Sequence, residues 1–277
     1  MSYFTNPHKI DIKNQSLVYY RMGKGEPLLF IHGITTYSFI WRQLIPLLID
    51  KYELILVDLA GCGDSSKNID DSLSIKNHAK MLHLLIEQLL LKNLHLISHD
   101  VGGGIAQLIT VHYPHRIKSL TLINSVGYDF WPVQPIISMR TPIIRHLAMA
   151  TLDMGALKFI IKRGLFHRKK LDTELMELFW KPLKTSEGRK AFLFFAHCLD
   201  NKNLLEISDE LTKLKLPVLI IRGDCDVFLG KTISERLHKD IPNSQYEVIS
   251  TGGHFIQEDE PELLAQNIHH FISNINE

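Results

Sequence analysis

Short, uninterrupted runs of apolar residues recur along both ends of this 277-residue chain and limit the fold more than any other feature. Each run has the length of one strand, and strands with continuous apolar sequence are buried on both faces of a sheet. Helical patterns lie between the runs, as at 74–90 and at 261–275, where Pro261 stands in the first turn. This alternation predicts an α/β fold with a mostly parallel, doubly wound sheet, preceded by an antiparallel hairpin over 8–12 and 16–22. The runs are PLLFIHG (27–33), ELILVDLAG (53–61), NLHLISHD (93–100), IKSLTLINS (117–125), PVLIIRGD (217–224) and QYEVIST (245–251).

The alternation stops between about 126 and 215, where helix-forming and aromatic residues take over. A loop of about ninety residues without regular structure is implausible inside a compact domain, so this stretch is predicted to be a helical cap. The core domain then comprises residues 1–125 and 216–277, and the cap comprises 126–215, inserted after the sixth strand. Because open α/β sheets bind ligands at the carboxyl ends of their strands, we expect a cleft beneath the cap.

Composition and charge exclude several classes of protein. The formal net charge is +1, with 45% hydrophobic and 22% charged residues, which gives no indication of nucleic-acid binding. A run of about eighteen apolar residues, as a membrane span needs, is absent, and the start lacks a signal-peptide core. The three cysteines, Cys62, Cys198 and Cys225, have no CxxC spacing, so no disulfide framework is expected. We expect a cytoplasmic protein without cofactor, metal or membrane insertion, with homodimer formation left open.

The cap also contains a basic run, IKRGLFHRKK (161–170). A solvated helix face is the simpler interpretation of such a run, and an anion-attracting rim is the alternative.

One acidic residue stands at the sharpest corner of the pattern. The segment HLISHDVGGGIAQLI (95–109) ends as a strand at Asp100 and restarts as a helix through three glycines. A side chain displayed at a tight strand-to-helix turn needs small residues two positions before and after it, and Ser98 and Gly102 meet that need around Asp100. Around Ser98 the equivalent residues are Leu96 and Asp100, which do not. Asp100 is therefore the displayed group, and a helix N-cap is its simpler interpretation.

This corner resembles the nucleophile elbow of the α/β-hydrolases. The form Ser-His-Asp-x-Gly-Gly resembles the aspartate-nucleophile branch of that family, which contains the epoxide hydrolases and haloalkane dehalogenases. Four further segments are similar to the family in order and spacing, from about residue 8 to the end of the chain. They are HGITTYSFIWR (32–42, the oxyanion loop), DLAGCGDS (58–65), RGDCDVF (222–228, the acid loop) and GGHFIQEDEPE (252–262, with the catalytic His). The resemblance implies an α/β-hydrolase fold with an inserted helical cap, and hydrolase activity.

The resemblance implies a catalytic set of Asp100, Asp226 and His254. Asp100 would be the nucleophile, because a carboxylate with a reference pKa near 3.9 is ionised at neutral pH and needs no base to remove a proton. His254 would activate the water that hydrolyses the resulting ester. Asp226 would orient the imidazole, with the nearby Asp224 as the competing acid.

The backbone N–H groups of Ile34 and Val101 would bind the developing oxyanion. The haloalkane dehalogenases that this chain resembles usually place a Trp directly after the nucleophile, and many use an Asn after His-Gly, to hold the halide. The side chains of Val101 and Ile34 are not donors, which weakens the dehalogenase interpretation.

A carboxylate nucleophile selects the substrate class. Attack on an acyl carbon would give a reactive anhydride, whereas attack on an sp3 carbon gives a stable alkyl ester, so the substrate is expected to be a small apolar epoxide or halide. Candidate contacts to the substrate or leaving group are Tyr128, Trp131, Trp180 and Tyr37. Tyr128 is the only tyrosine between 126 and 215 and the candidate proton donor for an epoxide, and a structural role at the entry to the cap is its simpler interpretation. An epoxide hydrolase-like activity stands slightly ahead of a haloalkane dehalogenase-like one, followed by a serine-type esterase and a non-catalytic ligand-binding homologue.

Overall fold

The computed structural model describes residues 3–69, 72–132, 136–139 and 154–276. These residues contain an eight-stranded sheet with the strand order β1-β2-β4-β3-β5-β6-β7-β8. Strand β1 pairs antiparallel with β2 and β2 pairs antiparallel with β4, while every later pair is parallel. The predicted hairpin and doubly wound sheet are therefore confirmed. The strands are β1 (His8–Ile12), β2 (Gln15–Gly23), β3 (Glu26–Ile31), β4 (Tyr52–Asp58), β5 (Leu94–Asp100), β6 (Ile117–Ser125), β7 (Val218–Gly223) and β8 (Ser244–Ile249).

Helices cover the sheet, and their ends follow local sequence signals. The longest helix before the cap begins after Ser74, whose side chain accepts a hydrogen bond from the N–H of Asn77 at 3.3 Å. Within the described residues, no helix is both long and apolar enough to span a membrane. The helices are α1 (Ile45–Leu48), α2 (Ile75–Gln88), α3 (Val101–His112), α4 (Ile136–Met139), α5 (Met154–Gly164), α6 (Thr173–Trp180), α7 (Ser186–Cys198), α8 (Lys202–Leu205), α9 (Ser208–Leu211), α10 (Lys231–Asp240), α11 (Ile256–Asp259) and α12 (Pro261–Asn276). Short 3-10 turns lie at Ser38–Trp41, Pro114–Arg116, Arg168–Lys170 and Lys181–Lys184.

The burial of each strand accounts for its sequence pattern. Strands β5 and β7 are buried at every residue, as expected of continuous apolar runs covered on both faces. Strand β8 lies at the sheet edge, and most of its residues are partly or fully exposed. Its sequence SQYEVI is accordingly the most polar of the parallel strands.

Between β6 and β7, the described residues form helices and turns and add no strand to the sheet. Of the predicted cap, residues 133–135 and 140–153 lie outside the described residues. Side chains from α5, α6 and α7 line a pocket together with Asp100. The division into a core of 1–125 and 216–277 and a cap of 126–215 stays a prediction.

The sheet order brings four loops to one edge. Strands β3, β5, β6, β7 and β8 are successive parallel neighbours, so their carboxyl ends point the same way. Gly33 and Ile34 follow β3, Asp100 ends β5, Asp226 follows β7 and His254 follows β8. Residues that are far apart in sequence therefore meet above the middle of the sheet.

Candidate active site

Asp100 occupies the corner between β5 and α3 with an unusual backbone conformation. Its φ is 54° and its ψ is −125°, a combination that few L-residues adopt. Gly102 makes the corner possible, because a Cβ at that position would lie 2.4 Å from the carbonyl oxygen of Ile31 and 2.5 Å from that of His32. Strained residues of this kind persist where the surrounding structure holds them, and they cluster at functional sites. The predicted need for a small residue two positions after Asp100 thus reflects the close approach of β3.

Two backbone N–H groups hold the Asp100 carboxylate. The N–H of Ile34 donates to Oδ2 at 3.1 Å, and the N–H of Val101 is the second donor. Gly33 leaves room for this contact, since a Cβ there would lie 2.4 Å from the same Oδ2. The structure therefore brings both predicted oxyanion donors to the side chain of Asp100, which is only 8% exposed.

Burial is the largest influence on the charge of Asp100. It raises the pKa of this carboxyl above its ordinary value, although the nearby His254 and the N–H groups of Val101 and Ile34 oppose the rise. The sequence analysis took this carboxyl at its reference pKa, and the N-terminus of α3 also favours the charged form. The effect exists, but the cost of removing the carboxylate from water is greater.

His254 is buried against Asp226. The ring Nδ1 lies 3.0 Å from Asp226 Oδ2, while the other oxygen, Oδ1, accepts hydrogen bonds from the N–H groups of Phe228 at 2.8 Å and Leu229 at 3.1 Å. The competing Asp224 is exposed to solvent and has no such contact with the ring. Of the two candidate acids, the structure thus brings Asp226 to His254.

The pair is arranged to carry opposite charges. Burial lowers the pKa of His254, but the carboxylates of Asp226 and Asp100 outweigh it, so the pKa lies above the ordinary 6.5. Burial also opposes ionisation of Asp226, yet the charge of His254 and two backbone N–H groups bring the pKa of that carboxyl below its usual value. Each group therefore favours the charged form of the other.

A buried histidine that the sequence analysis did not single out shapes the oxyanion loop. His32 Nδ1 lies 2.7 Å from the carbonyl oxygen of Gly33, and its Nε2 accepts from the N–H of Leu59 at 3.0 Å. Burial lowers the pKa of His32 to about 3, so the ring is neutral and can donate at one nitrogen while accepting at the other. The ring joins the loop after β3 to the loop after β4 and orients the peptide that presents the Ile34 N–H.

Two further residues that sequence reasoning missed hold the His254 loop. Asn124 Nδ2 donates to the carbonyl oxygens of Gly253 at 2.9 Å and His254 at 3.0 Å, and its Oδ1 accepts from the N–H of Gly223 at 2.9 Å. His99 Nε2 lies 2.8 Å from the same His254 carbonyl oxygen. Both are polar residues inside apolar strands, which was the available signal, because buried polar groups are kept only where they find partners.

Asp259 connects the segment between β6 and β7 to the same loop. Its Oδ2 accepts from the N–H groups of Gly253 at 2.8 Å and Phe166 at 3.0 Å, and its Oδ1 accepts from the N–H of His167 at 2.8 Å. The carboxylate is buried, and it satisfies three backbone donors at the corner where the cap meets the His254 loop. Its position in the acidic run QEDEPE made it look like an ordinary solvent-exposed charge.

The pocket above Asp100 is mostly apolar and holds about 1000 Å3 of space, part of it open to solvent. Asp100 and His254 lie at its base. Apolar residues between β6 and β7 also line it, among them Ile136, Leu157, Ile160, Phe179, Leu183 and Phe192. Among the described residues, no group of three or more His, Cys, Asp or Glu side chains is arranged to hold a metal ion.

The aromatic residues predicted to contact the substrate do not line this pocket. Tyr128 is turned towards α10, where its hydroxyl donates to Asp240 Oδ2 at 2.9 Å and the Arg236 guanidinium lies 3.8 Å from the ring centroid. Trp131 Nε1 donates to the carbonyl oxygen of Tyr128 at 3.1 Å. In both residues the hydrogen-bonding group of the ring is already used in a structural contact, which is the alternative role considered for Tyr128.

The other two predicted contacts also lie outside the pocket walls. Trp180 packs under the Arg189 guanidinium, 5.3 Å from the ring centroid. Tyr37 packs against Phe39, with ring centroids 4.6 Å apart, and its ring faces the Lys181 ammonium. Sequence identified them as aromatic residues near the cleft but carried no information on the direction of their rings.

Ser98 has no access to the pocket. It is fully buried in β5, and its hydroxyl donates to the carbonyl oxygen of Thr121 in β6 at 2.8 Å. The elbow therefore displays Asp100 and not the serine two residues earlier.

Comparison with known proteins agrees with this fold. Residues 26–145 match the model of the family described as alpha/beta hydrolase fold. An uncharacterized hydrolase of Bacillus subtilis is 30% identical over 267 residues, which is 95% of this chain and 96% of that protein. A cis-3-alkyl-4-alkyloxetan-2-one decarboxylase of Shewanella oneidensis is 27% identical over 96% of this chain and 88% of its own length.

A solved structure has the same fold. The haloalkane dehalogenase of Bradyrhizobium elkani superimposes with a TM-score of 0.86 at 23% identity, and the match covers 98% of each chain. This chain is accordingly a hydrolase, and it belongs to the α/β-hydrolase family.

Proposed function

We propose that this hydrolase displaces a leaving group from an sp3 carbon by attack of Asp100, which becomes an alkyl ester. One observation carries the proposal: a pocket-lining carboxylate has Oδ2 bonded to the Ile34 N–H, which leaves its other oxygen to attack. The new bond joins that oxygen to the substrate carbon, and the leaving group takes the bonding electrons. An sp3 centre is favoured because the product is a stable ester and not an anhydride.

Hydrolysis of the ester then requires an activated water. His254 Nδ1 is bonded to Asp226, so Nε2 is the nitrogen that removes a proton from water as the oxygen attacks the ester carbonyl. The N–H groups of Ile34 and Val101 stabilise the resulting oxyanion. The imidazolium returns its proton to the departing alkoxide, and the products are an alcohol and the Asp100 carboxylic acid, which releases its proton to solvent to restore the carboxylate.

The two steps are coupled through charge. Before reaction, the Asp100 carboxylate helps to raise the pKa of His254. Alkylation removes that negative charge, so the pKa of His254 falls when the ester forms. The imidazole therefore becomes available as a neutral base at the step that needs one.

The pocket walls bear on the choice of leaving group. With Tyr128 turned away, the hydroxyl groups among the described lining residues belong to Thr35 and Thr36. Thr36 donates to the carbonyl oxygen of Gly33 at 3.3 Å, whereas Thr35 has no hydrogen bond to another described side chain or backbone group. An aliphatic hydroxyl can donate a hydrogen bond to a weakly basic anion, but it is too weak an acid to protonate a departing alkoxide.

This reasoning favours a leaving group that departs as a stable anion, and a haloalkane is the simplest such substrate. Epoxide opening, which the sequence analysis put slightly ahead, loses its support because Tyr128 was its proton donor. A second candidate is a cis-dialkyl oxetan-2-one, the substrate class in the name of the Shewanella oneidensis relative. Attack on the ring carbon would release an internal carboxylate, and loss of CO2 would then form the alkene and free Asp100.

Trapping of the intermediate tests the proposal. His254→Gln removes the base, so incubation with 1-bromohexane should leave a hexyl group on the peptide that contains Asp100, detected by mass spectrometry after proteolysis. Wild-type enzyme should release bromide and hexanol. Parallel incubations with 1,2-epoxyhexane and with a cis-dialkyl oxetan-2-one rank the three substrate classes, the last by formation of alkene and CO2.

Two matched variants control this experiment. Ser98→Ala in the His254→Gln background should still form the adduct, and Asp100→Ala in the same background should not. An acyl group on Ser98, or turnover of any of the three substrates by Asp100→Ala, would refute the proposed nucleophile. Absence of both adduct and turnover with all three substrates would favour a non-catalytic, ligand-binding role.

A further inference from the structure

Helix α5 has two faces with opposite surroundings. On its inner face, Leu157 and Ile160 line the pocket that contains Asp100. On its outer face, Phe159 is 69% exposed, an unusual position for a large aromatic ring. The helix is therefore a thin wall between the pocket and the exterior of the protein.

The exterior of this wall is strongly basic. Residues 154–170 contain six Lys and Arg residues and no Asp or Glu, in a chain whose net charge is only +1. Lys170 is used internally, because its ammonium donates to the carbonyl oxygens of Glu258 and Asp259. The other five are exposed, and none of them forms an ion pair with any described residue. We define the α5 face as Lys158, Phe159, Lys162, Arg163, Arg168 and Lys169.

Exposed apolar groups lie among these cations. Besides Phe159, Phe166 is 41% exposed two residues after the end of the helix, and Met154 is 37% exposed at its start. Exposed aromatic and aliphatic groups mixed with Lys and Arg along one helix and the turn after it match the boundary of an anionic membrane, where cations meet headgroups and apolar groups enter the acyl region.

We propose that the α5 face docks on an anionic lipid surface and that the pocket behind it takes up apolar molecules from that surface. Charge complementarity selects the partner, and the exposed Phe159 favours lipid over a purely polar polyanion. The docking is peripheral and places no segment across the bilayer. It goes beyond the proposed function, since it holds for whichever apolar substrate Asp100 attacks.

Vesicle binding tests the surface directly. Sedimentation should carry the protein down with vesicles made of equal parts phosphatidylserine and phosphatidylcholine, but not with phosphatidylcholine alone. Binding should weaken with added salt, because the screening length falls from about 10 Å at 0.1 M to about 3 Å at 1 M ionic strength. Each basic residue near an anionic surface contributes about 5-fold in affinity, so Lys158→Gln/Lys162→Gln should bind about 25-fold more weakly.

A matched variant removes the same charge at the other end of the sheet. Lys92 and Lys215 are exposed and lie just before the amino ends of β5 and β7. Lys92→Gln/Lys215→Gln should change vesicle affinity by less than about 2-fold, because these charges are remote from the α5 face. Equal losses in the two double variants would refute the proposal, since binding would then depend only on total charge.

A second measurement follows the aromatic ring itself. Phe159→Trp should shift its fluorescence to shorter wavelength when phosphatidylserine vesicles are added, as the indole leaves water. Leu90→Trp is the control, because Leu90 is 74% exposed just before the amino end of β5 and should show no shift. Absence of binding to anionic vesicles would overturn the proposal. The proposal would also be overturned if the protein bound duplex DNA but not vesicles, and if Lys158→Gln/Lys162→Gln weakened the DNA binding.

Discussion

Asn124 offers the sharpest test of how the site is held together. Replacement by alanine removes its three hydrogen bonds, to Gly253, His254 and Gly223. The His254 carbonyl keeps His99 as a partner, so two backbone groups lose their only side-chain partner. A buried polar group left unsatisfied costs about 1–3 kcal/mol, which predicts a loss of about 2–6 kcal/mol in the free energy of unfolding from hydrogen bonding alone.

The same substitution also carries a backbone cost. Asn124 has a φ of 39°, and asparagine tolerates the left-handed region better than alanine does. Asn243 has a φ of 57° but is exposed, so Asn243→Ala carries the conformational cost without the buried hydrogen bonds. The difference between the two variants isolates the contribution of the Asn124 side chain.

Urea denaturation followed by tryptophan fluorescence measures that difference. With a slope of about 3 kcal/mol per molar urea for a chain of this size, the midpoint of Asn124→Ala should lie about 0.7–2 M below that of Asn243→Ala. Similar midpoints for the two variants would refute the reasoning, because the hydrogen bonds would then contribute nothing beyond the backbone effect.

Three other predictions rest on single contacts. Gly102→Ala forces a Cβ to within 2.4 Å of a backbone oxygen and should lower the free energy of unfolding in urea by about 1–3 kcal/mol. Gly230→Ala, whose nearest contact would be 3.4 Å, should lose less, because its cost is limited to the helix N-cap. Because the folded-state pKa of His254 is raised, its stabilising effect is complete below the ordinary pKa of 6.5 and is lost as the pH rises through the folded value. The urea midpoint of wild type relative to His254→Gln should therefore fall with rising pH, and a gap that widens instead would contradict the ion pair. Arg42 pairs with the buried Glu258, so Arg42→Ala should cost about 3 kcal/mol in urea denaturation, and Arg42→Met/Glu258→Leu should recover most of it.

Much of the fold was predictable because burial on both faces leaves a direct record in sequence. Strands β5 and β7 have continuous apolar runs, and β1 and β2 have the alternation of an antiparallel hairpin. The position of Asp100 was predictable for a local reason, since the corner needs the small residue Gly102 beside it. These features depend on neighbouring residues and need no knowledge of distant contacts.

The direction of the cap aromatic residues was not predictable. The Tyr128 hydroxyl forms a hydrogen bond with Asp240, which lies 112 residues later in the chain, and no local sequence pattern predicts such a partner. Asn124, His99 and Asp259 were missed for a related reason. Each acts through backbone groups of another loop, and backbone partners carry no sequence signal. The roles of Asp100, Asp226 and His254 stay predictions, although the structure brings the three residues to one site.

Asp259 has a consequence for how molecules reach the site. One carboxylate binds the backbone at Phe166 and His167, between β6 and β7, and also the peptide of Gly253 beside the imidazole, so the Phe166 segment cannot move away at this corner without disturbing His254. This corner therefore stays closed, and substrate molecules must enter the pocket along another edge. Substitution of Asp259, although it is remote from Asp100, should therefore slow the reaction at Asp100 as well as loosen the segment at Phe166 and His167.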